Sequence, residues 1–124
     1  MKIDEIREYC LSLPQVTEDM PFASLGAFDV AFRIAGKMFA LVSVDGDNRI
    51  ALKCDPDYAV ELREKWLAIQ PAYHFNHKYW NQLDFCDGGV PEKMIRHLIC
   101  HAYNEVQKKL TKTLQKTIPP LVNE

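Results

Sequence analysis

Phe28-Asp29-Val30-Ala31-Phe32-Arg33-Ile34-Ala35-Gly36-Lys37-Met38-Phe39-Ala40-Leu41-Val42 is the stretch that decides the fold class. Phe28, Val30, Phe32 and Ile34 recur every second residue and share one face of a strand, with Asp29 and Arg33 on the other. Ala35-Gly36-Lys37 predicts a tight reversal into Met38–Val44, which is apolar on both faces as a central strand would be. Asp45-Gly46-Asp47-Asn48 predicts a second turn, because Gly and Asn tolerate positive φ. Arg49–Lys53 then returns with Ile50 and Leu52 pointing inward. Three strands joined by two short turns make an antiparallel meander.

The elements on either side are helical. Ile3, Ile6, Cys10 and Leu13 recur at helical spacing, Asp4 and Glu5 complement the helix dipole in the first turn, and Pro14 ends the helix. Residues 15–27, with Pro21, Ser24 and Gly26, are expected to form a loop. Beyond the meander, Asp55 is an N-cap, Pro56 fits the first helical position, and Tyr58, Leu62 and Trp66 form a stripe. Ala72–Phe75 is expected to be short and extended, and Lys78–Phe85 to be a further strand closed by Asp87-Gly88-Gly89. A long helix from Pro91 carries Met94, Ile95, Leu98, Ile99, Ala102, Tyr103 and Val106 on a broad apolar face. Residues 1–110 are thus expected to form a single domain, and the polar, partly basic residues 111–124 a frayed tail. Helices that bracket an antiparallel sheet imply an α+β fold with the helices on one face.

At 124 residues there is room for one core. The longest apolar runs fall far short of the roughly 20 residues that cross a bilayer, and charges at Asp4, Glu5, Arg7 and Glu8 interrupt any signal-peptide core. A cytoplasmic location, no membrane partner and a monomer are the expectations. Cys10, Cys54, Cys86 and Cys100 have no CxxC spacing, which argues for reduced thiols rather than a disulfide framework or zinc knuckle. The formal net charge of −2 hides an asymmetry. Residues 93–116 carry six Lys or Arg against one Glu, a net of +5, whereas residues 1–29 carry six acids against two bases, a net of −4.

The segment Tyr73-His74-Phe75-Asn76-His77-Lys78-Tyr79-Trp80-Asn81 holds four aromatics, two histidines and a lysine, and no acid. Such a mixture suits nucleic acid, since bases stack and phosphates need donors; it equally suits a strand whose aromatics are half core. Lys108, Lys109 and the other C-terminal lysines either track a phosphate backbone or complement the negative end of the last helix. His97 and His101 have ligand spacing, but no Glu follows His97, so a solvated pair is expected and no metal. Cys54 lies at a helix N-terminus, which can lower a thiol's pKa, yet no base can be assigned to it. Glu18 and Asp19 are adjacent in a loop, which does not make them an acid/base pair. The glycines fit turns rather than a phosphate loop. No catalytic constellation and no cofactor are therefore expected.

The segments Tyr9-Cys10-Leu11-Ser12-Leu13-Pro14, Thr17-Glu18-Asp19-Met20-Pro21-Phe22, Gly36-Lys37-Met38-Phe39-Ala40-Leu41, Leu52-Lys53-Cys54-Asp55-Pro56 and Tyr73-His74-Phe75-Asn76 with Lys78 and Trp80-Asn81 stand in this order along the chain. Together they resemble the MmcQ/YjbR family. The resemblance implies a curved antiparallel sheet with helices packed on one face, frataxin/CyaY-like, in the order α-β-β-β-α-β-β-α. It also implies DNA binding, with Lys53, His74, Asn76, Lys78, Trp80 and Asn81 at the matching positions. The chain departs at His77, Tyr79, Gln82 and Ala23, where Lys, His, Thr and Gly are common in the family. DNA is accordingly the expected partner, bound with modest affinity and low sequence specificity by a sheet or hairpin surface, with Lys108 and Lys109 assisting. The alternative is a non-catalytic small-molecule or protein-interaction module whose patch contains Tyr73, His74, Asn76 and Trp80.

Overall fold

The structure is a computed structural model that describes residues 1–44 and 46–122. Asp45, the first residue of the expected second turn, lies outside the described residues. Along the chain run α1 (Ile3–Ser12), β1 (Thr17–Asp19), a short 3-10 turn (Ala23–Leu25), β2 (Val30–Ile34), β3 (Lys37–Val42) and β4 (Arg49–Lys53). They continue with α2 (Pro56–Lys65), β5 (Gln70–Pro71), β6 (Trp80–Asp84), α3 (Glu92–Gln107) and α4 (Lys112–Thr117). The six strands form one antiparallel sheet in the order β1-β2-β3-β4-β6-β5.

The meander forms where the alternation predicts it, except that β2 begins at Val30 and Phe28 lies outside it, exposed. At the β2–β3 turn both Ala35 (φ 50°) and Gly36 (φ 76°) are left-handed, the conformation whose twist matches that of the strands it joins. Phe32 pairs with Ala40 but Arg33 with Met38, so Phe39 is an extra residue on β3. This bulge sends consecutive residues, Phe39 and Ala40, into the same core. Phe32, Ile34, Val42, Ile50, Leu52 and Leu83 complete the sheet's contribution. Ile6 and Cys10 of α1, Ala59 and Leu62 of α2, and the broad face of α3 close over it. The helices therefore pack on one face of an α+β sheet. Tyr103 is the largest fully buried side chain; its ring meets Phe39 edge-on at 5.6 Å and its hydroxyl donates to the Pro14 carbonyl at 2.7 Å.

Helix α2 starts as the sequence predicts. The Asp55 carboxylate accepts the N–H groups of Asp57 and Tyr58, both at 3.1 Å, and Pro56 takes the first helical position.

Three expectations need correction. Residues 15–27 are not all loop: Thr17–Asp19 pairs with Ala31–Arg33 as an edge strand. Ala72–Tyr79 is a run of turns rather than extended chain, and the strand expected from Lys78 begins only at Trp80. The C-terminal segment, expected to fray, is instead docked through residue 121. Ile118 is buried, and the Gln107 side chain donates to its carbonyl at 3.0 Å. Asn104 exchanges two hydrogen bonds with the backbone of Leu121. The Gln115 amide donates to the Lys108 and Leu110 carbonyls, so α4 caps the end of α3. These bonds run from side chain to backbone, which hydrophobic periodicity does not register.

Among the described residues of the meander, Ala35 is the one non-glycine with a positive φ; a Cβ disfavours the left-handed region by roughly 1–2 kcal/mol, and asparagine tolerates it better. Ala35→Asn is expected to raise unfolding stability by about 1 kcal/mol, read as a higher midpoint at unchanged slope in urea denaturation.

Candidate nucleic-acid interface

The sheet's second face is covered by chain rather than by helix. Ala51, Ala72 and Trp80 are buried there, with Met38, Leu41, Phe75 and Tyr79 packed around them. The turns of residues 72–79 hold this cover in place. The Asn76 side chain accepts the Lys78 N–H at 3.1 Å, and the Tyr79 N–H reaches the Asn76 carbonyl at 3.0 Å. Arg63 of α2 donates to the His77 carbonyl at 3.1 Å, and the Cys54 N–H donates to the Tyr79 carbonyl at 2.8 Å. Beneath them Phe75 stacks on Trp80, with centroids 4.3 Å apart and planes 20° from parallel.

Tyr79 is the centre of the site. Three ammonium groups approach its ring: Lys109 at 5.2 Å, Lys53 at 5.5 Å and Lys78 at 5.5 Å from the centroid. They come from the end of α3, the end of β4 and the turn itself, and meet because Lys53 pairs directly with Trp80 across the β4–β6 ladder. Lys53 also lies 5.4 Å from the Trp80 ring. Cation–π attraction lets an aromatic ring hold such charges without a carboxylate. Among the described residues no ion pair engages Lys53, Lys78 or Lys109. Burial, and then the Lys109 ammonium, push the Lys53 pKa below its ordinary value, while Tyr79 and Glu105 oppose that shift.

The sequence-derived residues separate into three groups. Lys53, Lys78 and Lys109 converge on Tyr79. His74 and Asn76 are exposed on the turns, Asn76 as a turn brace. Trp80, only 7% exposed and covered by Phe75, is a support and not an open stacking platform. Asn81 is a correction: it lies on the opposite, helix-facing side, 5% exposed, where its amide donates to the Ala59 carbonyl at 3.2 Å. Strand parity puts it with Leu83, away from the lysines. Lys108 is turned to Glu105, with which it pairs at 2.8 Å. The sequence reading did not give Tyr79 its central place, and it placed Tyr73 only in the alternative patch; Tyr73 is 62% accessible and its ring meets that of His77 edge-on at 6.2 Å.

The remaining candidates resolve into structural roles. His97 and His101 are not a solvated pair. Tyr58 of α2 sits against both rings, its hydroxyl 3.2 Å from His97 Nε2, while His101 Nε2 accepts the Asp55 N–H at 3.2 Å. Among the described residues no three His, Cys, Asp or Glu side chains come together as a metal site. Cys54 is buried, and burial followed by the charges of Glu105 and Asp55 pushes its thiol up to about 12, the reverse of an activated thiolate. Glu18 and Asp19 point to opposite sides of β1, Glu18 to Arg7 of α1 and Asp19 to Arg33 of β2. No helix of the described residues is long and apolar enough to cross a membrane.

A single antiparallel sheet with helices on one face and a lysine–aromatic turn surface on the other defines a small α+β domain. The chain belongs to the YjbR family, whose model matches residues 11–105. It is 35% identical to YbdF of Escherichia coli O157:H7 over 92% of this chain and 91% of that protein. Its identity to YjbR of Escherichia coli K12 is 26%, over 98% of this chain and all of that one. Among solved structures it is similar to Deinococcus radiodurans DR2400, a DUF419 domain, with a TM-score of 0.85, 32% identity, and 94% of this chain and 87% of that one covered. A Pseudomonas syringae protein superposes with a TM-score of 0.67 at 26% identity, covering 82% of this chain and 96% of that one.

The His101–Asp55 bond gives a pH prediction. Burial is the main cause that lowers the His101 pKa from its ordinary 6.5, so the unfolded chain takes up this proton at a higher pH than the folded one. The stability that the neutral ring contributes is complete above about pH 6.5 and is lost as pH falls below it toward the folded-state pKa. Urea titrations between about pH 7.5 and 5 are expected to show a flatter stability decline in His101→Gln than in the parent.

Proposed function

We propose that this protein binds DNA with modest affinity and little sequence specificity, through the surface centred on Tyr79. The observation that carries this reading is the convergence of Lys53, Lys78 and Lys109 on one ring, with no ion pair to any of them among the described residues. Ammonium groups held together in this way suit phosphates spaced along a backbone. They are point charges that read phosphate rather than base edges, which accounts for low specificity. Exposed Tyr73 and His77 beside them offer ring faces to an unpaired base. The apolar face of α3 is spent on the core, so the contact surface is formed by turns and strand ends rather than by a recognition helix. The three gathered ammonium groups favour approach of a polyanion to this surface.

The alternative patch of Tyr73, His74, Asn76 and Trp80 has less support as a small-molecule pocket, because the Trp80 ring is already stacked beneath Phe75.

Fluorescence anisotropy with labelled duplex and single-stranded oligonucleotides tests the proposal. Three phosphate contacts predict that affinity for duplex falls about 40-fold, and for single strands about 20-fold, between roughly 50 and 200 mM salt. Lys53→Gln and Lys109→Gln should each reduce the log–log salt slope by about one, whereas Lys2→Gln, at the acidic end, should leave it unchanged. Absence of salt-sensitive binding at micromolar protein would overturn the reading.

A further inference from the structure

Far from the lysines in sequence, α1 and the β1 end of the sheet enclose a groove of about 450 Å³. Its floor is aliphatic and aromatic: half-buried Ile3, Val30 and Val44, with Phe32 and Val42 beneath. Its lining carries charge, but among the described residues two of its three acids are already engaged. Arg7 grips Glu18 through Nε at 2.9 Å, and Asp19 holds Arg33 at 2.7 Å. Asp4, exposed in the first turn of α1, makes no ion pair among those of the described residues; the Arg7 guanidinium, held by Glu18, attracts it only at longer range. The volume and lining match those of small-molecule sites, which are mostly apolar with a few placed polar groups.

We propose that this groove binds small amphipathic amines, with the apolar body on Val30, Val44 and Ile3 and the ammonium group at Asp4. The sign follows from the rim. Among the described residues the one guanidinium lining the groove is occupied by Glu18, so an anionic head group would have to displace that carboxylate, whereas a cation meets an Asp4 carboxylate that no ion pair holds. The site shares no residue with the lysine cluster, so its occupancy does not depend on DNA binding.

The test titrates n-hexylamine, n-hexanol and sodium hexanoate into isotope-labelled full-length protein and follows amide shifts. Saturable shifts confined to α1, β1, β2 and residues 42–44 are expected with hexylamine, hexanol is expected to bind about fivefold more weakly, as loss of one exposed charge pair implies, and hexanoate to be weakest. Asp4→Asn should bring amine affinity down to that of the alcohol. Val30→Phe and Val44→Phe, which fill the groove from two strand positions, should each abolish binding; two fillers guard against one that misfolds, and an unchanged spectrum outside the groove certifies the fold. Amine shifts that survive a correctly folded filler, an amine preference retained in Asp4→Asn, or hexanoate binding as tightly as hexylamine would each overturn the proposal, as would no saturable binding.

Discussion

Helix α3 lies across β3 and β4 with its whole apolar face buried, and the rest of the molecule is arranged around that contact. Ile95, Leu98, Ile99, Ala102, Tyr103 and Val106 are all nearly inaccessible, and each larger side chain contributes about 1.5–3 kcal/mol relative to exposure. The bulge at Phe39 delivers a second aromatic ring to Tyr103, and the Tyr103 hydroxyl fastens the end of α1 through Pro14. Because α3 is committed to one face of the sheet, its main apolar face is not available to a partner. Recognition is left to the face without helices and to the two ends of the sheet.

That second face is built differently. Its cover is a polypeptide turn, and a turn supplies few apolar side chains, so aromatic stacking takes the place of helix packing. Phe75 on Trp80 forms the floor, Tyr79 stands at its edge, and hydrogen bonds from the Arg63 guanidinium and the Cys54 N–H anchor the turn to α2 and β4. Lys53, Lys78 and Lys109 then come together as a consequence of ladder register and of where α3 ends. Docking of residues 111–121 against α3 fixes that end, so a segment poor in apolar residues helps to set the position of Lys109.

The central elements were legible because their own side chains encode them. Alternation gives β2, turn chemistry gives the hairpins, and Asp55-Pro56 gives the start of α2. Strand β1 was not legible: three residues, two of them acidic, acquire strand character from pairing with β2 and from Arg7 and Arg33. The C-terminal docking was hidden because Asn104, Gln107 and Gln115 act through backbone bonds. Part of the candidate site was misassigned for a reason the sequence did contain. Asn81, Leu83 and Phe85 share strand parity, which sets Asn81 on the core side, while Trp80 and Gln82 take the other. A polar residue among core positions looked like a surface one because residue type was weighed above parity.

The two ends of the molecule handle charge in opposite ways, and the contrast bears on what each can bind. At the α1 end, Glu18 and Asp19 are each matched by an arginine, so the rim is mostly neutralised and the apolar groove dominates. At the Tyr79 end the lysines are matched by a ring quadrupole, which attracts a cation more weakly than a carboxylate does and leaves its charge uncancelled. Burial first, and then repulsion from the Lys109 ammonium, hold the Lys53 pKa below its ordinary value. An anion that settles between these ammonium groups relieves that repulsion and stabilises the fold by as much as it binds. A carboxylate in place of Tyr79 would hold the lysines more firmly and leave less of their charge for a ligand; the aromatic ring gathers the cations while keeping them available.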